Sequence, residues 1–478
     1  MNTIQRVTKN VSVLFISQML SYVLGFFTLM YSARYLGVGG FGTLSFALAF
    51  TGIFAVFMDL GLSTLTIREV ARDKSITKDY VANITAIKIL LALFTFGLIF
   101  LIIHLFGYNP QTMLVVYFIA IYTIFTAFSL MFYSIFQAHE KMEYQSLGSI
   151  LNSVLLLAGI LLAIHLKFDI VQFSLIYTIV GVGIFVYALS IFSIKFSFPK
   201  IKFDIKKWKH LTLEGWPFAI TGISITLYFW IDTIILSLIK GPDAVGLYNA
   251  SYRLIIVLLF IPFVFNNAIF PLMSQYHISS KESLNFTFEK LLKIMIIIAV
   301  PIGVGTVLIA NKVIILIYGD QFIGAVIALQ ILIWSCVLIF TRSPFERLLE
   351  STNRQLSITK IFIIGVIFNV ILNLIFIPKY SYIGAGVITV LTDALVLSLL
   401  IFITRDFKIL VSKAIHINIL KILIASLIMG VILKYLSNLN VFILIILGTI
   451  IYSILLVLFK ILDDEEILII KSILRREN

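Results

Sequence analysis

Charged residues, histidine and cysteine are scarce in this chain. Of its 478 residues, 12% are Asp, Glu, Lys or Arg, six are histidine and one is cysteine, Cys336. A single cysteine cannot form a disulfide within the chain, and the histidines are too scattered for a metal site. Phosphate-binding glycine loops, zinc-protease motifs and nucleophile elbows are missing as well. We therefore expect no enzyme, no cofactor and no metal.

Apolar residues are abundant instead, at 61% of the chain. They form runs of about 20–28 residues, each long enough to cross roughly 30 Å of hydrocarbon as a helix. Lipid admits only helices and closed barrels, and these runs are too long for barrel strands. The sequence therefore predicts an all-α, polytopic membrane protein. About fourteen spans are expected, near residues 11–34, 41–65, 80–106, 111–137, 144–166, 170–194, 211–239, 244–275, 286–310, 322–345, 356–377, 382–404, 414–435 and 440–459.

Lysine and arginine are distributed unevenly among the connections between these spans. Most of the 36 lie in connections on the same side as the N-terminus. The opposite connections hold only Arg34, Lys167, Lys240, Lys312, Lys379 and Lys434. The positive-inside rule then predicts a multi-pass protein of the cytoplasmic membrane with both termini in the cytoplasm. This bias accounts for the net charge of +13 without a nucleic-acid partner, and the basic stretch near 195–210 suits anionic membrane lipids.

Two glycine pairs indicate an internal repeat. Gly37 and Gly42 lie at the turn of the first predicted hairpin, and Gly241 and Gly246 recur at the turn of the seventh. The offset between them matches six spans, which predicts two pseudo-symmetric six-helix lobes. Two extra helices and a charged cytoplasmic tail complete the chain. The predicted parts are residues 1–205, 206–410 and 411–478.

Asp232 and Arg253 lie inside the two apolar runs that flank the turn at residues 240–243. The helical rise places them at similar depths in an antiparallel pair of helices. A lone charge at membrane depth costs at least about 2.5–3.5 kcal/mol, so we expect them to pair or to face a wet cavity. A polar cavity and a purely structural ion pair both remain open. Tyrosines that could present rings and hydroxyls to a sugar are Tyr22, Tyr31, Tyr228, Tyr248 and Tyr252.

Other charges near span ends suggest a gate. Asp59 lies near the inner end of the second span, with Arg68 about two turns later, and we interpret them as a gate or a helix-end network. Lys88, in the third span, is expected to extend towards the inner surface. Arg34 closes the first span at the outer face, either as an interface anchor or as a contact for substrate.

Asp393 is a single acid well inside the twelfth span and a candidate site for a coupling proton or sodium ion. Four charges at the inner end of the tenth predicted span alternate in sign at helical spacing, so they are expected to satisfy one another there. They are Arg342, Glu346, Arg347 and Glu350.

Several loose motifs together resemble one family. They are LGFFTLMYSARYLGVGGFG (24–42), DLGLSTLTIREVAR (59–72), IDTIIL (231–236), GLYNASYRLI (246–255) and IPKYSYIGAG (377–386). In these motifs the chain is similar to Wzx-type polysaccharide flippases of the multidrug/oligosaccharidyl-lipid/polysaccharide superfamily. The resemblance implies two lobes around a cationic cavity. It also implies that polyprenyl-diphosphate-linked oligosaccharide moves from the inner to the outer leaflet by alternating access. The resemblance places Arg34, Asp59, Arg68, Asp232 and Arg253 on family-like motifs.

The implied substrate gives the cations a role. A diphosphate needs cations to cross a low dielectric, and the guanidinium fork matches phosphate geometry. Arg253 is the first candidate, with Lys88 and Arg34 as further stations. Energy would come from a proton or sodium gradient or from downstream consumption of the glycan.

The first helix departs from two related classes. Lipid II flippases carry an Arg-Asp pair where this chain has Thr28 and Leu29, which disfavours a peptidoglycan precursor. Drug antiporters carry an acid in the first lobe that this helix lacks. An ion-coupled small-molecule exporter, a lipid II flippase and a non-transporting scaffold remain alternatives.

Overall fold

A computed structural model describes residues 3–196, 199, 203–405 and 412–462, without the side chains of residues 3–11, 413 and 414. These residues form helices joined by short connections, and no strand occurs among them. The helices are α1 (Thr3–Asp59), α2 (Leu62–Arg72), α3 (Thr77–Leu105), α4 (Pro110–Ala138), α5 (Met142–His165), α6 (Ile170–Phe196), α7 (Ile205–Lys240), α8 (Pro242–Leu258), α9 (Phe260–Ser279), α10 (Lys281–Tyr318), α11 (Ala325–Ser351), α12 (Gln355–Thr404), α13 (Lys413–Tyr435) and α14 (Val441–Leu458).

Twelve helical segments in the described ranges are long and apolar enough to cross a membrane. Two of them, α1 and α12, are each interrupted by one non-helical residue, Gly37 and Ser381. Counted as two each, they bring the candidate spans among the described residues to fourteen, the number that the sequence predicts. The all-α, multi-pass class is confirmed. The predicted charged tail, at residues 463–466, lies outside the described residues.

The predicted end of the second span is wrong. The second span was expected to run to residue 65, but its helix ends at Asp59 and the chain turns at Leu60 and Gly61. Both turn residues have a positive φ, 45° at Leu60 and 75° at Gly61. A side chain at Gly61 would overlap the carbonyl oxygen of Gly215. The close approach of α7 therefore favours glycine at this break, which hydropathy alone does not reveal.

The chain divides into two compact units, Met1–Asn249 and Ala250–Asn478. In the first unit, α1 packs against α4, α5 and α7, and α4 packs against α6. In the second unit, α11 packs against both α10 and α12, and α10 also packs against α13. This division falls within α8, and the predicted lobe boundaries at 205 and 410 stay predictions.

Gly37 and Gly241, the first glycines of the two repeated turns, have nearly the same backbone conformation. Gly37 has φ 69° and ψ −177°, and Gly241 has φ 81° and ψ −173°. L-residues avoid this region, whereas glycine adopts it at little cost. Each glycine therefore reverses a helix into the next one in the same way, which supports the predicted repeat.

Candidate functional site

A buried ion pair joins Lys88 of α3 to Asp59 at the end of α1. Lys88 Nζ lies 2.7 Å from Asp59 Oδ1, and the Lys88 side chain is 2% exposed. Lys88 also donates to the carbonyl oxygen of Ala127 on α4, at 3.1 Å. Lys88 therefore does not extend to the membrane surface, and this part of the prediction is wrong. The carboxylate of Asp59 holds the ammonium inside the bundle instead.

The turn after α1 positions this carboxylate. Ser63, in the first turn of α2, donates its hydroxyl to Asp59 Oδ1 at 2.5 Å, and its backbone N–H lies 3.3 Å from Oδ2. Asp59 is 21% exposed on its side chain, so it is more accessible than Lys88. A buried pair of this kind is costly to break from one side, because the remaining charge stays desolvated. The pair thus ties α1, α2, α3 and α4 together through one charge contact.

Arg68 of α2 links the same region to α7. Its guanidinium bonds Glu214 of α7 at 3.0 Å and Glu69 at 2.6 Å, and it lies over the ring of Phe218 at 5.8 Å. We call this end of the first unit the α2 end. Arg68 and Glu214 are 39% and 37% exposed, so the link is accessible to water. Asp59 and Arg68 thus take part in separate ion pairs, one buried and one exposed.

Two further contacts hold the beginning of α7 at the α2 end. Lys207 forms an ion pair with Asp79 of α3. Trp208 donates its indole N–H to the side-chain oxygen of Asn83, at 3.2 Å. The first turns of α7 are therefore bound to α2 and α3 by polar side chains.

The opposite end of α7, which we call the Gly241 end, is held by close backbone approach. A methyl group at Gly42 would overlap the carbonyl oxygen of Pro242, and one at Gly246 would overlap that of Val38. The two hairpins that carry the glycine repeat therefore pack directly against each other. Only residues without a side chain fit at these two positions.

Tyr108, in the connection between α3 and α4, adds a polar contact at the Gly241 end. Its hydroxyl lies 2.8 Å from that of Ser237 on α7, and its ring stacks on Phe46 at 4.7 Å between centroids. Burial raises the pKa of Tyr108 to about 12, although the bond with Ser237 acts in the opposite direction. Tyr108 therefore stays protonated at neutral pH and can donate or accept in this bond.

Asp232 of α7 is 2% exposed and accepts a hydrogen bond from the hydroxyl of Tyr248 on α8, at 3.0 Å. Tyr228 and Tyr252 are also buried. Arg253 is half-buried on α8. Asp232 and Arg253 thus lie on the two helices that flank Gly241, and their pairing stays a prediction.

Asp393 of α12 takes part in a buried polar network in the second unit. It is 1% exposed, accepts a hydrogen bond from Ser335 and lies 3.8 Å from the guanidinium of Arg342 on α11. Arg342 is also 3.3 Å from Glu346, and Arg347 bonds Glu350 at 2.7 Å. The expected pairing along α11 is confirmed, but Arg342 is buried and reaches Asp393 as well. Within the described ranges, no three His, Cys, Asp or Glu side chains converge as a metal site would require.

A family model described as "Polysaccharide biosynthesis protein" matches residues 7–277, more than half of the chain. The chain belongs to this family. A second family model, MatE, matches residues 217–375. The predicted relationship to polysaccharide transporters is confirmed.

Individual relatives agree with this assignment. The chain is 27% identical over 259 residues to "Probable flippase AglR" of Haloferax volcanii, covering 53% of this chain and 52% of that protein. It is 24% identical over 415 residues to "Putative O-antigen transporter" of Escherichia coli K12, covering 84% and 98%. The first two curated relatives are matched over only 39% and 52% of their own lengths.

A solved structure has a similar fold. "Lipid II flippase MurJ, inward closed conformation" superimposes with a TM-score of 0.77 at 18% identity. The match covers 93% of this chain and 98% of that one. At this identity the likeness concerns the fold alone.

The sequence of this member of the polysaccharide biosynthesis protein family did not reveal two residues that pair with others at the ends of α7. Glu214, the partner of Arg68, and Ser237, the partner of Tyr108, both lie on α7. Neither carried a local signal, because their partners are far away in the sequence. Arg34, which the sequence did single out, is exposed on α1 three residues before Gly37.

Proposed function

We propose that this protein flips polyprenyl-diphosphate-linked oligosaccharide across the cytoplasmic membrane by alternating access, for the assembly of a surface glycan. The observation that carries the proposal is that α7 is held at its two ends by different contacts. Polar side chains hold it at the α2 end, and close backbone packing holds it at the Gly241 end. Alternating access requires two such closures that can open separately. The names of the relatives, a flippase and an O-antigen transporter, support the same function.

The orientation follows from the charge distribution. We infer that both termini and the α2 end face the cytoplasm, because lysine and arginine concentrate on that side. The Gly241 end then faces outward. In this orientation Asp59 and Arg68 belong to the inner gate, and Gly42 and Gly246 to the outer one.

The substrate is recognised by cations and by tyrosines in this proposal. Arg253, Lys88 and Arg34 would contact the diphosphate, and Asp232 would also contact the substrate. Tyr228 and Tyr252 would contact sugar once the helices around them move, since both are buried in the described conformation. The protein acts as a transporter without catalysis. Asp393 would bind the coupling proton or sodium ion, in competition with the neighbouring Arg342.

Complementation of a host that lacks its own glycan flippase tests this function. Arg253→Ala should abolish surface glycan at normal membrane abundance, and Arg253→Lys should retain part of it. Arg405→Ala is a matched control, because Arg405 is exposed at the end of α12. Wild-type glycan levels in Arg253→Ala would contradict a diphosphate contact. Rescue of Arg253→Ala by Asp232→Ala would identify a structural ion pair instead.

The MatE match over residues 217–375 favours one alternative, an ion-coupled exporter of small molecules. Proteoliposomes separate the two functions. Transport of a fluorescent lipid-linked glycan without export of cationic dyes supports the flippase. Dye export driven by a proton or sodium gradient, together with no flipping, would favour the exporter.

A further inference from the structure

His139 lies at the α2 end of the first unit and takes part in none of the contacts described above. It follows the last residue of α4, and its Nε2 lies 2.9 Å from Thr77 Oγ1 in the first turn of α3. Its ring packs edge-on against Phe196 of α6, at 4.7 Å between centroids. Lys141 places its Nζ over the same ring, 5.4 Å from the centroid. The imidazole of His139 and the ammonium group of Lys141 therefore both lie against the ring of Phe196.

The hydrogen bonds fix which nitrogen of His139 titrates. Thr77 Oγ1 donates to the carbonyl oxygen of Lys74 at 2.6 Å. A hydroxyl has one hydrogen to donate, so Thr77 must accept the bond from His139. Nε2 therefore carries a proton in the neutral ring, and Nδ1 is the nitrogen that gains or loses one.

Two lysines act on this ring from different elements. Lys74 lies in the 3₁₀ turn before α3, and Lys141 immediately precedes α5. Partial burial, followed by the charges of Lys74 and Lys141, lowers the pKa of His139 below its usual 6.5. Other charged residues within two positions of Lys74, Thr77, Lys141 or Phe196 in the sequence are Arg72, Asp73, Lys78, Asp79, Glu140, Glu143 and Lys195.

The position suits an anion at the membrane surface. His139 lies where four candidate spans begin or end, which is the depth of lipid headgroups. An anion between Lys74 and Lys141 would gain from both charges and would also stabilise the protonated ring of His139. It would therefore reverse the effect that the lysines have on the ring.

We propose that Lys74, His139 and Lys141 form a binding site for a phosphate group, and that binding places a proton on His139 Nδ1. The phosphate group could belong to an anionic phospholipid headgroup or to free phosphate. The site shares no residue with the Lys88–Asp59 pair or with the residues named for either gate, and it does not depend on the proposed function.

Histidine NMR on the full-length protein in nanodiscs tests this site. In phosphatidylcholine alone, His139 should titrate below pH 6.5. Addition of phosphatidylglycerol should raise its pKa by about one unit, which corresponds to about tenfold tighter binding by the protonated form. His139→Gln identifies the signal. His104 and His165, at the opposite end of the first unit, report any general effect of surface charge.

A second experiment distinguishes a lipid headgroup from free phosphate. In it, inorganic phosphate is added to phosphatidylcholine nanodiscs. A shift with inorganic phosphate identifies a free-phosphate site, and a shift only with phosphatidylglycerol identifies a lipid site. No shift in either arm, or equal shifts at His104 and His165, would overturn the proposal.

Lysine variants provide an independent readout. In the Lys74→Gln/Lys141→Gln double variant, the His139 pKa in phosphatidylcholine should rise towards 6.5, and the effect of the phosphate group should disappear. Lys240→Gln/Lys379→Gln removes two exposed lysines elsewhere and should leave both values unchanged. Persistence of the phosphate-induced shift in the first double variant would contradict the site.

Discussion

Gly42 and Gly246 occupy equivalent places in one pseudo-symmetric contact. Gly42 faces the carbonyl oxygen of Pro242, and Gly246 faces that of Val38. The same sequence offset separates Val38 from Pro242 and Gly42 from Gly246. Each repeated hairpin therefore offers a backbone carbonyl to the glycine of the other. This reciprocity makes the contact a natural closure at the Gly241 end.

Alanine at Gly42 or Gly246 should weaken this closure. The added methyl group overlaps a backbone carbonyl, and such overpacking typically costs about 1–3 kcal/mol. A bias of that size shifts a two-state equilibrium by about 5–150-fold. We expect transport to fall, and a cysteine probe near Pro242 in a Cys336→Ser background to react faster with maleimide.

Gly52→Ala is the matched control for these variants. Gly52 lies on α1 as Gly42 does, but a methyl group there would meet no atom within 4 Å. Its transport and its maleimide reactivity should equal those of the wild type. Equal behaviour of Gly42→Ala and Gly52→Ala would show that the close approach does not act as a closure.

Lys88→Met should destabilise the protein strongly. It leaves the largely buried carboxylate of Asp59 without its ammonium partner, and breaking a buried pair from one side costs about 3–5 kcal/mol. Thermal unfolding in detergent should show a lower Tm. Lys88→Met/Asp59→Asn should recover much of the loss, because it removes both charges.

The exposed lysine Lys195 provides the comparison, and Lys195→Met should leave the Tm nearly unchanged. If Lys88→Met unfolds at the wild-type temperature, the pair does not stabilise the bundle. If the double variant recovers stability but not transport, the charges of Lys88 and Asp59 have a role in transport beyond holding the helices together.

Charge reversal tests the link between Arg68 and Glu214. Both side chains are more than a third exposed, so the pair contributes only about 0–1 kcal/mol and stability should hardly change. Arg68→Glu should lower transport through like-charge repulsion at the α2 end. Arg68→Glu/Glu214→Arg should restore it. A double variant as inactive as the single one would argue against a gate at this pair.

Tyr108→Phe and Ser237→Ala test the polar contact at the Gly241 end. The phenylalanine keeps the stacking on Phe46 and loses the hydroxyl that meets Ser237. A double-mutant cycle on unfolding free energy should give a coupling of about 0.5–1.5 kcal/mol. Additive effects would mean that this hydrogen bond contributes nothing to stability.

The sequence predicted several site residues but not their partners. Asp59, Arg68 and Lys88 stand out because charges are rare in apolar runs. The pairs that they form join residues on different helices, and hydropathy carries no information about which faces meet. Lys88 was therefore expected at the surface, although it is bonded to Asp59 inside the bundle.

The sequence by itself determined the class of the protein, the number of spans and the repeated glycine turn. Runs of apolar residues this long predict helices that cross a membrane. A turn that requires a positive φ favours glycine at that position. Only the tertiary structure decided the break at Leu60 and Gly61, the reciprocal packing of Gly42 and Gly246, and the ion pair between Arg68 and Glu214. These features depend on distances between helices, and residues far apart in sequence set those distances through packing.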